Sequence, residues 1–123
     1  MPENFEQTEG LLCDSMVGSR RPLVVPRSGT GNAGRVALAA APGGRLWVSW
    51  YDFGANRIHA VRTNPAASGF GPVHTVKPPP GTFIFNRLQA EGSSQGRLDI
   101  IVNVLLSKAP NPIELWHTQI AAP

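Results

Sequence analysis

Cysteine is all but missing from this sequence: Cys13 stands alone among 123 residues, and a single thiol closes no disulfide within its own chain. A small domain without that staple rests on packing or on partners. Lysine is nearly as scarce, with only Lys77 and Lys108, while nine arginines are scattered from Arg20 to Arg97. The net charge of +3 on 15% charged residues therefore makes no clustered basic face, which argues against nucleic acid. Long apolar runs are missing too. The longest, residues 100–106, is interrupted by Asn103 and falls far short of the roughly 20 residues of a membrane helix, so a soluble chain is expected. The N-terminus, MPENFEQTEG, lacks the basic start and apolar centre of a signal peptide; no export signal is visible and the compartment stays open.

What the chain does have is punctuation. Thirteen glycines and twelve prolines divide it into short segments in which helix is disfavoured. Hydrophobic residues, at 41%, suffice for a core. Residues 11–16 and 22–26 (PLVVP) read as short strands, the second bounded by proline as an edge strand is, and 28–34 as a glycine-rich loop. Residues 36–41 (VALAAA) are followed by Pro42-Gly43-Gly44 and then by 46–51 (LWVSWY). In that last segment Leu46, Val48 and Trp50 alternate with Trp47, Ser49 and Tyr51, the period of a strand, and two largely apolar faces imply cover on both sides. Residues 52–56 form a turn, 58–63 (IHAVRT) a third strand and 72–76 (PVHTV) a fourth.

The pattern then recurs. Arg35-Val36 corresponds to Arg87-Leu88, and Gly44-Arg45-Leu46 to Gly96-Arg97-Leu98, both 52 residues on; residues 58–63 correspond to 113–118 at 55, and 22–25 to 72–75 at 50. The expected fold is all-β, built of antiparallel four-stranded meander blades of a β-propeller with an incomplete ring. Residues 1–9 are a polar lead-in, 10–33 the last two strands of a partial blade, 34–77 a complete blade, and 78–123 an inter-blade loop with the first three strands of a further blade.

The strings GRVALAAAPGGRLWVSWYD, SGFGPVHTV and RLQAEGSSQGRLDIIV resemble the blades of sialidase-like, BNR-type β-propellers over roughly residues 10–120. The family's Asp-box, Ser-x-Asp-x-Gly-x-Thr-Trp, is not matched: Asp52 and Gly54 are two apart, with no Ser before and no Thr-Trp after them. Sialidase catalysis as the resemblance implies it needs residues from many blades, so no catalytic residue is carried over. The resemblance implies a non-catalytic binding module, with carbohydrate as its ligand and its ring completed by homo-oligomers or by the missing blades of a parent chain. In such a ring residues 22–26 of one copy could serve as the fourth strand of the next. A fragment of a sialidase-like glycoside hydrolase, or a structural repeat for protein contacts, remains the alternative.

In a propeller the loops between second and third strands and between blades converge over the axis. The candidate ligand-binding residues there are Tyr51, Asp52, Asn56, Arg57, Asn86 and Arg87. An aromatic ring, a carboxylate, an amide and a guanidinium suit the C–H faces and paired hydroxyls of a sugar; against this, Asp52 and Asn56 are also common turn-formers, and that reading is preferred. Trp47, Trp50 and Trp116 lie inside strands and suit packing. His59, His74 and His117 have no ligand spacing, so neither metal nor cofactor is expected. Asp99 interrupts an apolar strand and is expected to cap a backbone group or pair with Arg87 or Arg97. Glu91 and Glu114 are the carboxylates a glycosidase pair would draw on.

Overall fold

The computed structural model describes residues 23–26, 33–107, 110 and 112–121. Among the described residues seven strands follow one another: β1 (Ala33–Ala41), β2 (Arg45–Asp52), β3 (Arg57–Arg62), β4 (His74–Val76), β5 (Thr82–Gly92), β6 (Leu98–Leu106) and β7 (Ile113–Ile120). They form two antiparallel meanders, a four-stranded sheet in the order β1-β2-β3-β4 and a three-stranded sheet in the order β5-β6-β7. The fold is all-β, as the residue pattern indicates. Among the described residues the only helical piece is the 3-10 turn Pro42–Gly44, and none is a helix long and apolar enough to cross a membrane.

The two sheets are built alike from the bulge of the first strand through the first turn. Ala40 pairs with Leu46 as Gly92 pairs with Leu98, and Leu38 with Val48 as Ala90 with Ile100. Each second strand follows a glycine in the left-handed region, Gly44 at φ 77° and Gly96 at φ 95°, where a Cβ is disfavoured. Each first strand carries a register shift, between Gly34 and Ala37 and between Ile84 and Leu88, so Arg35 and Arg87 both fall at bulges. The third strands match differently from the sequence expectation. Trp50 pairs with His59 and Val102 with Trp116, so equivalent positions are 57 residues apart rather than 55. The longer β6–β7 connection takes the extra residues, and the even slip leaves every side chain on its face.

The sheets pack front to back. The first presents Ala37, Ala39, Trp47, Tyr51, Ile58 and Ala60; the second meets them with Ile84, Leu88, Leu98, Ile100, Val102, Val104 and Ile120. Trp47 and Ser49 are equivalent to Asp99 and Ile101, which lie on the far face of the second sheet, away from this core. One sheet's rear thus fits the other's front, as between successive members of a series. Alanines on β1 leave room for the fully buried Trp47, whose Nε1–H donates to Gly96 O at 3.1 Å. The sheets approach closely at Gly92, where a Cβ would strike the Ala40 carbonyl.

Three expectations change. β2 is covered on both faces only towards its end, where Trp50, Tyr51 and Asp52 are all buried; nearer its start Trp47 and Ser49 are buried on one face while on the other Leu46 is exposed and Val48 partly so. Residues 23–26 form no strand, and Val24 is 85% exposed; flanking prolines supply no N–H to a ladder. The fourth strand of the first sheet is also shorter than expected, since only His74–Val76 pairs with β3. The segment 11–16 and Pro22 lie outside the described residues.

Candidate functional site

The β2–β3 turn is the tip to which the sequence assigns four candidate residues, and its chemistry begins with Asp52. The Asp52 carboxylate, buried at the end of β2, accepts from Gly54 N–H and Ala55 N–H at 3.0 and 3.2 Å through Oδ1. This is the side-chain-to-backbone bonding that makes aspartate a turn-former. The turn closes with Asn56 N–H on Asp52 O at 2.9 Å. Asn56 adopts φ 55°, a left-handed conformation that asparagine tolerates better than most residues.

Asn56 also ties the two sheets together. Its Nδ2 donates to Thr82 O at 3.0 Å, and its Oδ1 accepts from Ile84 N–H at 3.0 Å and from Tyr51 Oη–H at 3.1 Å. The asparagine thus substitutes for a strand at the margin of β5. Burial first, and then the Asp52 charge, push the Tyr51 phenol above its ordinary pKa, which keeps it a donor. Arg57 turns back on its own loop, Nη1 donating to Ala55 O and Asn56 O at 3.0 Å. Tyr51, Asp52, Asn56 and Arg57 are therefore brought together, with their polar atoms engaged in building the tip and joining it to β5. Phe53 remains outward, 42% exposed, with its ring edge-on to Tyr51 at 4.5 Å. Arg87 is exposed at the β5 bulge. Asn86 lies within β5, and its side chain is outside the described residues.

Beside this tip stands an array that the sequence did not single out. His59 Nδ1 is 2.9 Å from Thr75 Oγ1, and its Nε2 is 3.5 Å from Asp52 Oδ2. If the Thr75 hydroxyl donates to Nδ1, the ring proton sits on Nε2 and faces the carboxylate, although Nε2 makes no hydrogen bond there. The order hydroxyl, imidazole, carboxylate is that of an activated nucleophile. Here it is set within a sheet, with His59 and Asp52 buried and the Trp50 ring 5.6 Å from the imidazole. Only pairing across β2, β3 and β4 brings the three together, so no spacing in the chain announces them.

Elsewhere the Asp99 carboxylate gathers structural partners. Asp99 pairs with Arg97 at 3.1 Å, as one sequence alternative had it, and also bonds His117 at 3.0 Å and Gln119 at 3.0 Å. The His117 bond foremost, with Arg97 and Gln119, holds this carboxyl below its ordinary range. Glu91 pairs with Asp99 across β5 and β6, whereas Glu114 pairs with Val104, which places the two glutamates on opposite faces of the second sheet. They do not flank one cleft. Trp47 and Trp50 are buried and Trp116 is half-buried against the core. Among the described residues no group of three His, Cys, Asp or Glu is placed to hold a metal ion.

At the opposite end of the first sheet lies a cavity of about 240 Å³ lined by Arg45, Arg62, Thr63, Phe70, Pro72 and His74, among others. The resemblance to propeller loops gave no reason to look there. Its signal in the sequence is slight, two arginines at the start of one strand and the end of the next. Comparison of the chain with protein-family models, with curated proteins and with solved structures returns no match.

Proposed function

We propose that this chain is a non-catalytic β-propeller binding module that completes its ring with further copies of itself. The observation carrying this reading is the front-to-back packing of two equivalent sheets. Two sheets packed face to face would close off one core. Front-to-back packing instead leaves one face at each end, of the same two kinds that already fit together.

The far face of the second sheet exposes Phe83, Ile101, Ile113 and Leu115, and the front of the first exposes Leu38 and Leu46. Head-to-tail contact between copies would cover both, and such a contact yields a ring when its rotation closes. A fourth strand is available as well. Residues 22–25 resemble 72–75, which contain the start of β4. Residues 23–26 form no strand, and among the described residues β7 has no outer neighbour. Delivered to β7 of a neighbouring copy, this segment would stand where β4 stands in the first sheet.

Carbohydrate is the ligand class we assign to the assembled ring, on the exposed Phe53 ring held at the rigid tip; an aromatic face suits the C–H side of a sugar. Light scattering after size exclusion tests the assembly, with a discrete closed oligomer expected. Leu115→Lys, and separately removal of residues 1–27, should each dissociate it. A monodisperse monomer overturns self-association and assigns the open face to the rest of a longer chain. A glycan array probed with the intact oligomer tests the ligand, and a blank array overturns the sugar assignment.

A further inference from the structure

The cavity at the end of the first sheet away from the tip has the makings of an anion site, independent of ring closure. Register accounts for its charge. Trp47 pairs with Arg62, and Arg45 lies two residues before Trp47 on the same face, so the two guanidiniums belong to diagonal neighbours on adjacent strands. Like charges so placed repel. Among the described residues no carboxylate lines the cavity, and the charged or titratable groups that face it are Arg45, Arg62 and His74.

The walls are rigid. The Arg62 guanidinium lies over the Trp47 ring, 5.6 Å from its centroid, and Trp47 is itself anchored to Gly96. The His74 ring meets Trp47 edge-on at 5.6 Å. The loop that carries Phe70 is pinned at its base, with Thr63 N–H on Leu46 O at 2.8 Å, Leu46 N–H on Thr63 Oγ1 at 2.9 Å and Gly71 N–H on Arg62 O at 2.9 Å. A site held in this way loses little freedom on binding.

We propose that this cavity binds a small phosphomonoester, with the phosphate between Arg45 and Arg62 and its organic part against Phe70 and Pro72. A phosphate dianion balances two guanidiniums, and its oxygens accept from two planar forks at once. Size limits the organic part. Pockets for drug-sized ligands run from about 300 to 1,000 Å³, so a cavity of about 240 Å³ takes a phosphate with one ring.

The test is an NMR titration of the full chain with phenyl phosphate, with inorganic phosphate and benzoate in parallel. Saturable shifts confined to residues 62–74 and the start of β2 are expected, with phenyl phosphate binding more tightly than either control. Arg45→Gln should weaken binding about tenfold or more, the usual scale for losing a charged hydrogen-bond partner. Arg97→Gln, on the second sheet, should leave binding unchanged. Arg62→Gln also removes the cover over Trp47, so it is read beside Arg62→Lys, which keeps the charge and should bind between the two. No saturable binding, or binding indifferent to Arg45→Gln, overturns the site; benzoate binding as tightly as phenyl phosphate overturns the assignment to phosphate.

Discussion

The two sheets share a meander, a register and even the placing of their left-handed glycines, yet they meet solvent differently at their outer strands. In the first, β3 lies between β2 and β4, and Ile58, Ala60 and Val61 are wholly buried. In the second, β7 is outermost among the described residues and presents Leu115 at 74% exposure, with Ile113 more than half exposed. A three-residue β4 marks the contrast. A short edge strand both covers its neighbour and presents little free edge to other chains. Leu115 stands opposite Asn103 as Ile58 stands opposite Tyr51, so the comparison teaches that the same rear position is buried where a second sheet packs on it and left as an apolar margin where, among the described residues, none does.

The inter-sheet core is where this comparison would break first. Trp47→Ala removes the largest wholly buried side chain together with its bond to Gly96, and should cost about 3–5 kcal/mol in urea unfolding. Gly92→Ala sets a methyl group against the Ala40 backbone; prying the sheets apart there should cost about 1–3 kcal/mol, whereas Gly43→Ala, with open space around it but φ 76°, suffers only local strain. Asn56→Ala strips Thr82 O and Ile84 N–H of their partner, a loss of about 1–3 kcal/mol that hydrogen exchange should localise to the margin between the sheets.

Smaller effects sharpen the contrast between the outer strands. Leu115→Lys changes an exposed position and should move the unfolding free energy of the isolated chain by no more than about 0.5 kcal/mol, while abolishing association. Asp99 adds a pH term on the same strand pair. Its partners lower the folded-state pKa, so the stability it adds is present above the ordinary carboxylate value and is lost as pH falls through the lowered one. The urea midpoint difference between the parent chain and Asp99→Asn should therefore shrink on acidification, by a small amount at so exposed a carboxyl.

Much of the meander was legible because period-2 alternation and the Gly and Pro breaks report on local backbone. The glycines before Leu46 and Leu98 marked both second strands correctly. Less legible was which face meets which sheet. LWVSWY is apolar on both faces, and nothing local separates Trp47, buried between the sheets, from Leu46, left exposed. The tip shows the same limit. Tyr51, Asp52, Asn56 and Arg57 form a cluster as the turn requires, but that Asn56 reaches Thr82 and Ile84 depends on how the second sheet docks. Thr75, His59 and Asp52 stand on three strands, and no motif connects them.

By itself, then, the sequence determined the all-β class, the strands on either side of the Pro42–Gly44 turn and the recurrence of that hairpin at Gly96, since each follows from backbone preference and from alternation over a few residues. The tertiary structure decided the rest: that the sheets pack rear to front, that the tip's polar groups join sheet to sheet, and that Arg45 and Arg62 share one cavity with His74. These depend on register between strands and on docking between sheets. Both are set by contacts between residues far apart in the chain, where the free energy belongs to the pair and neither partner's local pattern encodes it.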